Sequence, residues 1–196
     1  MSILQNNSKY WDRANASILG GNSLLSKNPL KILPCEWPTY FKSAHEIFIT
    51  DINNKKYTDF STMGVGTNVL GYSNKIINQA ILSCIKKGNI SSLNSFEEVE
   101  LAEKLISLNK WAGLVKFART GGEANAIAIR IARAASGKDH VAICGYHGWH
   151  DWYIGTTTKH LGVPKSVRDL GLTFPFNDVD ALADLLKKHD CEIAAL

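Results

Sequence analysis

The middle of the chain alternates short apolar runs with a helical apolar stripe. Residues 115–118 form a mostly apolar run of the kind that suits a buried strand, and residues 140–144 form a second one. Between them the apolar positions recur with the period of an α-helix, and Ser136 and Gly137 end that pattern. The predicted stripe consists of Ala124, Ile127, Ala128, Ile131, Ala132 and Ala135. Two strands joined by one helix predict a right-handed βαβ unit with parallel pairing.

The rest of the chain predicts further helices and strands around this unit. Helical patterns cover residues 8–19, 74–87, 96–108 and 177–189, and strand patterns cover 40–42, 46–51, 56–60 and 193–196. Asn53 and Asn54 lie between two of these strands and predict a tight turn. The order of elements predicts an α/β protein in which a small antiparallel segment precedes a mostly parallel sheet.

The start of the central helix is a candidate anion site. Thr120, Gly121 and Gly122 lie where several backbone N–H groups of the helix lack partners and the helix dipole is positive. Thr120 and Glu123 have the spacing of a capping box, and the glycines let a ligand approach the backbone. The same residues also suit a well-capped helix after a tight turn, and spacing alone does not decide between these interpretations.

Two motifs resemble a known family. Thr120, Gly121, Gly122, Glu123 and Ala124 form one motif, and Tyr146, His147 and Gly148 form the other. Both resemble the N-terminal half of class III, fold-type I pyridoxal-phosphate (PLP) enzymes, which include the glutamate-1-semialdehyde aminomutases and the aminotransferases of polysaccharide biosynthesis.

The resemblance implies roles for five cofactor-binding residues. It implies that Thr120, Gly121 and Gly122 hold the cofactor phosphate, that Tyr146 stacks on the pyridine ring, and that His147 belongs to the same site. Gly122 stands where the family usually has a hydroxyl residue, which removes one side-chain contact and leaves the backbone donors.

The resemblance also implies a domain organisation and an incomplete active site. Residues 1–60 would form an N-terminal arm and part of a small domain, and residues 61–196 the first part of the PLP-binding domain. In the family the Schiff-base lysine and the aspartate that protonates the pyridine nitrogen come later in the chain. We therefore expect no catalytic residue here, a truncated chain that is inactive alone, and a homodimer for the full-length relatives. The alternative is a non-catalytic binding or assembly module derived from the family.

The N-terminal segment bears on the substrate. Semialdehyde aminomutases usually carry a substrate-binding arginine shortly after paired glycines. Gly20 and Gly21 are followed by residues 22–27, which contain no arginine. This favours the aminotransferase branch of polysaccharide biosynthesis, acting on a small carbonyl or sugar-related substrate.

Composition and charge exclude several other classes of protein. The chain has 196 residues, 45% hydrophobic and 20% charged, with a net charge of +4 from scattered lysines that form no nucleic-acid patch. It has no run of 18 apolar residues that could span a membrane. Its cysteines are Cys35, Cys84, Cys144 and Cys191, which form no CxxC pair. Their spacing predicts reduced thiols and a cytoplasmic protein.

A zinc site is a competing interpretation of the loop after the second central strand. Cys144, His147 and His150 are spaced three residues apart, and Asp151 is adjacent. No second ligand pair is evident, and the family resemblance assigns His147 to the cofactor, so we predict no metal. Neither a Walker loop nor a nucleophile elbow is present in the sequence.

Overall fold

A computed structural model describes residues 4–34 and 36–196 of the chain. Cys35, one of the cysteines predicted to be reduced, lies outside the described residues. The chain divides into two compact units, residues 1–94 and 95–196, which are described separately. The domain boundary predicted after residue 60 stays a prediction. The helices are α1 (Leu4–Ser17), α2 (Pro29–Ile32), α3 (Lys75–Lys87), α4 (Phe96–Leu108), α5 (Gly121–Ser136), α6 (Asp151–Ile154), α7 (Lys165–Arg168) and α8 (Val179–Lys188). The strands are β1 (Phe41–His45), β2 (Phe48–Asp51), β3 (Lys56–Thr58), β4 (His140–Ile143), β5 (Gly171–Thr173) and β6 (Ile193–Ala195).

The first unit contains the predicted antiparallel meander, in the order β1-β2-β3. Asp51 ends β2 and is only 2% exposed. Its carboxylate accepts hydrogen bonds from the backbone N–H groups of Asn53 and Lys55 and from the Tyr57 hydroxyl. These bonds satisfy a buried charge and close the turn, in which Asn54 has a φ of 67°. The predicted turn is therefore confirmed.

A second polar contact joins the meander to the segment before α3. The Tyr72 hydroxyl donates to Asp59 Oδ2 at 2.6 Å, and the backbones of Tyr72 and Glu46 exchange two hydrogen bonds. Partial burial and the hydrogen bond to the Asp59 carboxylate raise the pKa of Tyr72 to about 12. Partial burial acts to raise the pKa of Asp59, but the hydrogen bonds from Ser61 and Tyr72 outweigh it and leave that pKa lowered.

Helices α3 and α4 confirm the helical patterns predicted for their segments. Asn74 caps α3 by accepting from the N–H groups of Ile76 and Ile77, and Gly88 follows its last residue with a φ of 95°. Both isoleucines remain exposed, as does most of the apolar side of α3. Local capping therefore sets the bounds of this helix, while its apolar side has no cover among the described residues of its unit.

The second unit is built on a three-stranded parallel sheet in the order β5-β4-β6. Its core is small and lies where α5 and α6 meet this sheet. The buried cluster consists of Ile129, Val141, Ile143 and Tyr153, with Trp152 and Ala195 packed against it. Every residue of β4 after His140 is buried, as expected for a strand with neighbours on both sides.

The strand predicted at residues 115–118 is wrong for the chain as described. These residues lie outside every named strand and pair with none, and Lys116, Phe117 and Ala118 are exposed. A strand depends on a neighbour that accepts and donates its backbone hydrogen bonds. No described strand lies beside this segment. The neighbours of β4 are β5 and β6, so the predicted pairing of residues 115–118 with β4 across α5 is absent.

The helix predicted after Gly122 is confirmed as α5, but its buried side does not follow the predicted apolar stripe. Ile129 is the buried residue of this helix, whereas Ala124, Ala128 and Ile131 are exposed. Because α5 is rich in Ala and Ile on several sides, its period allowed more than one stripe. Packing against the sheet selected the side of Ile129.

None of the helices in the described ranges is long and apolar enough to cross a membrane.

Candidate functional site

The start of α5 presents two backbone donors without partners. Thr120 is the N-cap, and its hydroxyl accepts from Glu123 N while the Glu123 carboxylate accepts from Thr120 N, so the predicted capping box is confirmed. The Glu123 carboxylate also accepts from Arg119 N at 2.8 Å. The N–H groups of Gly121 and Gly122 have no hydrogen-bond partner among the described residues. A Cβ built on Gly121 would meet nothing within 4 Å, so the space beside Gly121 is open.

The loop after β4 lies directly against this helix start. A Cβ built on Gly148 would come within 3.4 Å of the Cα of Gly122. The Asn125 side-chain amide approaches the His147 carbonyl at 3.5 Å, the long limit of a hydrogen bond. Gly145 and Gly148 have φ values of 88° and 106°, which allow the loop to turn back toward α5. Folding therefore brings the two motifs that the sequence analysis singled out to one place.

Tyr146 presents most of its ring to solvent in this loop. Its side chain is 79% exposed. It contacts the buried Tyr153 edge to face, with ring centroids 5.7 Å apart and an interplanar angle of 85°. The contact orients the ring, and the high exposure leaves most of its surface available to a planar ligand.

His147 contributes to the shape of the loop. Its Nε2 lies 2.8 Å from the Cys144 carbonyl oxygen, which can only accept, so this nitrogen carries the proton and donates. Its ring lies 5.6 Å from Tyr153 and 6.2 Å from Trp152, measured between centroids. The geometry assigns His147 to holding the turn between β4 and Gly148.

His150 is a neighbour of the helix start that the sequence analysis considered only as a metal ligand. A Cβ added to Gly122 would lie 3.1 Å from both Cδ2 and Nε2 of His150, closer than ordinary van der Waals contact. The imidazole therefore occupies the space that a side chain at position 122 would need. The glycine at 122 was the available signal, because a missing side chain marks a close approach by something else.

The residues of the zinc interpretation do not form a ligand cluster. His147 Nε2 is bonded to the carbonyl of Cys144, and no group of three ligand side chains in the described ranges includes Cys144, His147 or His150. The one such group that the described residues contain is His140, His189 and Glu192, at the other end of β4.

Comparison with known proteins supplies the family. The family model described as Aminotransferase class-III matches residues 36–193. The chain belongs to the class-III aminotransferase family. PLP is the cofactor that this membership implies, and the two N–H groups without partners, with open space beside Gly121, fit its phosphate.

Two curated relatives show what the chain resembles. It is 31% identical over 171 residues to a 3-aminobutyryl-CoA aminotransferase of Cloacimonas acidaminovorans, covering 87% of this chain and 40% of the relative. It is 30% identical over 207 residues to a glutamate-1-semialdehyde 2,1-aminomutase of Methanococcoides burtonii, covering 100% of this chain and 48% of the relative. The chain thus spans less than half the length of these relatives.

Solved structures give the same fold class. An omega-transaminase from Sphaerobacter thermophilus matches with a TM-score of 0.83 at 25% identity, over 96% of this chain and 45% of that one. The FumI protein of Sphingopyxis sp. MTA144, solved in a form with PLP, matches with a TM-score of 0.85 at 29% identity, over 95% and 44%. The α/β, fold-type I prediction is therefore confirmed.

Proposed function

We propose that this chain provides the phosphate-binding and ring-covering part of a PLP-dependent aminotransferase or aminomutase. The observation that carries the proposal is the pair of free N–H groups, on Gly121 and Gly122, beside the loop that bears the exposed Tyr146. The predicted assignments of Thr120, Gly121, Gly122, Tyr146 and His147 to the cofactor remain part of this proposal.

Each residue has a distinct task in the proposal. The N–H groups of Gly121 and Gly122 donate to the phosphate at the positive end of the 16-residue helix α5. Thr120 supports them indirectly, because its hydroxyl accepts from Glu123 N and keeps the helix start in place. Tyr146 covers the pyridine ring, and His147 holds the loop that carries Tyr146. When bound, PLP supplies an electron sink for chemistry at the substrate amino group.

His150 takes part in phosphate recognition in this proposal. Its ring atoms Cδ2 and Nε2 lie beside Gly122. The family resemblance implies a hydroxyl residue at this position. An imidazole N–H there would replace the lost side-chain donor. The glycine at 122 and the histidine at 150 are therefore complementary, because the ring of one fills the space left by the other.

We propose an amino-transfer reaction on a small amino or carbonyl substrate. Relatives that the chain matches include both an aminotransferase and an aminomutase. Residues 22–27 contain no arginine and only one basic side chain, Lys27, which supports the aminotransferase branch. We further propose that the 196-residue chain does not turn over alone, because none of its lysines stands in a sequence context that resembles the family's Schiff-base site.

A comparison of PLP with pyridoxal tests the proposed cofactor site. We expect PLP to bind and to shift its phosphorus NMR signal, while pyridoxal, which lacks the phosphate, binds at least about tenfold more weakly. Equal affinity for the two compounds would contradict the proposed phosphate site at Gly121 and Gly122. Borohydride reduction tests separately whether the chain is inactive alone. A stable cofactor adduct on one lysine would contradict the predicted inactivity without contradicting the phosphate site at Gly121 and Gly122.

We propose a cytoplasmic homodimer for the whole protein. The described cysteines, Cys84, Cys144 and Cys191, are free, as expected in a reducing compartment. Apolar side chains on α3, including Ile76 and Ile81, are exposed and available for burial in an assembly. Light scattering after size-exclusion chromatography measures the mass, and a monomer across the micromolar range would contradict the dimer.

A further inference from the structure

Three potential metal ligands meet at the start of β4, at the opposite end of this strand from the loop that carries Tyr146. His140 begins β4, His189 follows α8, and Glu192 immediately precedes β6. Their ligand atoms all lie within 4.8 Å of one another. His189 Nδ1 lies 2.9 Å from Glu192 Oε2, and His140 Nδ1 lies 3.9 Å from the same oxygen.

Backbone hydrogen bonds hold these three residues together independently of their side chains. Glu192 N donates to the His189 carbonyl at 3.1 Å, which closes the turn between α8 and β6. His140 N donates to the Glu192 carbonyl at 3.2 Å, as part of the parallel pairing of β4 with β6. His189 N donates in turn to the Leu185 carbonyl at the end of α8. The cluster is therefore built on fixed elements, which is what a preorganised ligand set needs.

The electrostatic environment suits a cation. The Glu192 carboxylate oxygen Oε2 lies within 4 Å of the Nδ1 atoms of both His140 and His189, so an acidic side chain faces both imidazoles. The side chains of His140 and His189 are 26% and 21% exposed, so both imidazoles are partly withdrawn from water but still reachable. Two imidazoles and one carboxylate form a ligand set typical of zinc sites that leave one position open.

We propose that His140, His189 and Glu192 bind a divalent transition-metal ion, with Zn²⁺ as the best match and water in the fourth position. Tetrahedral zinc with bonds near 2.0–2.1 Å places its ligand atoms about 3.4 Å apart. The two separations that involve Glu192 Oε2, 2.9 Å and 3.9 Å, lie on either side of that value, and no two of the three ligand atoms are more than 4.8 Å apart. The ion would replace the hydrogen bond between His189 and Glu192, and would join the end of α8 to β4 and β6.

The ligand types also predict which ions bind. Imidazole nitrogen favours zinc and neighbouring transition metals, whereas Mg²⁺ and Ca²⁺ prefer sites made entirely of oxygen. We expect Zn²⁺ to bind in a 1:1 ratio and Mg²⁺ not to compete with it. At a free Zn²⁺ concentration about 100 times the Kd, the apparent Tm of the chain should rise by roughly 5–10 °C.

Calorimetric titration of the reduced chain with ZnCl₂ tests the site. His140→Ala and Glu192→Gln should each weaken Zn²⁺ binding by more than about tenfold. Glu192→Gln keeps an oxygen that accepts from His189, so it preserves the fold if His140→Ala does not. The matched control is His160→Ala, which removes another half-buried imidazole of this unit, one that contacts the Thr157 carbonyl. This control should retain the affinity of the unsubstituted chain.

Loading with Co²⁺ identifies the ligands by a second readout. A site of two imidazoles and a carboxylate gives visible d–d bands without a thiolate-to-cobalt charge-transfer band. Either no Zn²⁺ binding at millimolar concentration or an affinity unchanged by Glu192→Gln would overturn the proposal. A thiolate band would also overturn it, because it would assign the ion to cysteines.

Discussion

Replacing Gly121 with proline removes one proposed phosphate donor while leaving the helix intact. Gly121 is the first residue of α5, where proline is well tolerated because its missing N–H has no helical partner. Thr120 has φ −134° and ψ 158°, the extended conformation that a residue before proline prefers. A Cβ at 121 would meet nothing within 4 Å. The substitution therefore changes a donor and little else.

The expected loss can be estimated from the chemistry of the donor. A hydrogen bond from a backbone N–H to a charged phosphate contributes about 1.5–3 kcal/mol, so losing it should weaken PLP binding by about 10- to 150-fold. The free energy of unfolding should stay the same or rise by about 0.4–1 kcal/mol, because proline restricts the unfolded chain.

Gly121→Ala is the matched control for this experiment. It adds a side chain at the same place but keeps the N–H, so PLP affinity should stay within about twofold of the unsubstituted chain. Phosphorus NMR titration measures the affinity, and circular dichroism during heating measures the stability. Equal affinities for the proline and alanine variants, both correctly folded, would refute the assignment of the Gly121 N–H to the phosphate.

Further predictions concern the same loop and the contact between Asp59 and Tyr72. Gly122→Ala should destabilise the chain by about 1 kcal/mol, because the added Cβ would lie 3.1 Å from the His150 ring. Adding His150→Ala should remove this loss of stability. Additive effects of the two substitutions in a double-mutant cycle of thermal unfolding would contradict the contact. Tyr146→Ala should weaken PLP binding about three- to tenfold but leave phosphate binding unchanged, and Tyr146→Phe should bind PLP normally; equal losses for both ligands would contradict ring covering. The raised pKa of Tyr72, to about 12, favours the neutral phenol in the folded state, so its contribution to stability is complete below pH 10 and is lost as the pH rises through 12. After discounting for partial exposure, the free energy of unfolding measured by denaturant titration should fall by about 1 kcal/mol over this pH range. Tyr72→Phe should lack this decrease. An identical decrease in both proteins would contradict a role for the Tyr72 hydroxyl.

Local chemistry made several elements predictable from the sequence alone. Asn74 caps α3 and Thr120 caps α5 through bonds to residues two or three positions away, so the helix starts could be identified without any long-range contact. The motif around Tyr146 was recognisable from adjacent residues for the same reason. These signals also carried the family resemblance, which the match to the class-III aminotransferase model confirms.

Only the tertiary structure decided which segments pair and which helix side is buried. Residues 115–118 have the composition of a strand but no described neighbour, and backbone hydrogen bonds require a partner that composition does not specify. Packing against the sheet set the buried side of α5, where Ile129 is buried and Ile131 is exposed. His140 and Glu192 are 52 positions apart and meet because β4 pairs with β6, and His150 reaches Gly122 because the loop after β4 turns back. Such contacts depend on where the whole chain goes, whereas caps and turns depend only on a few neighbouring residues.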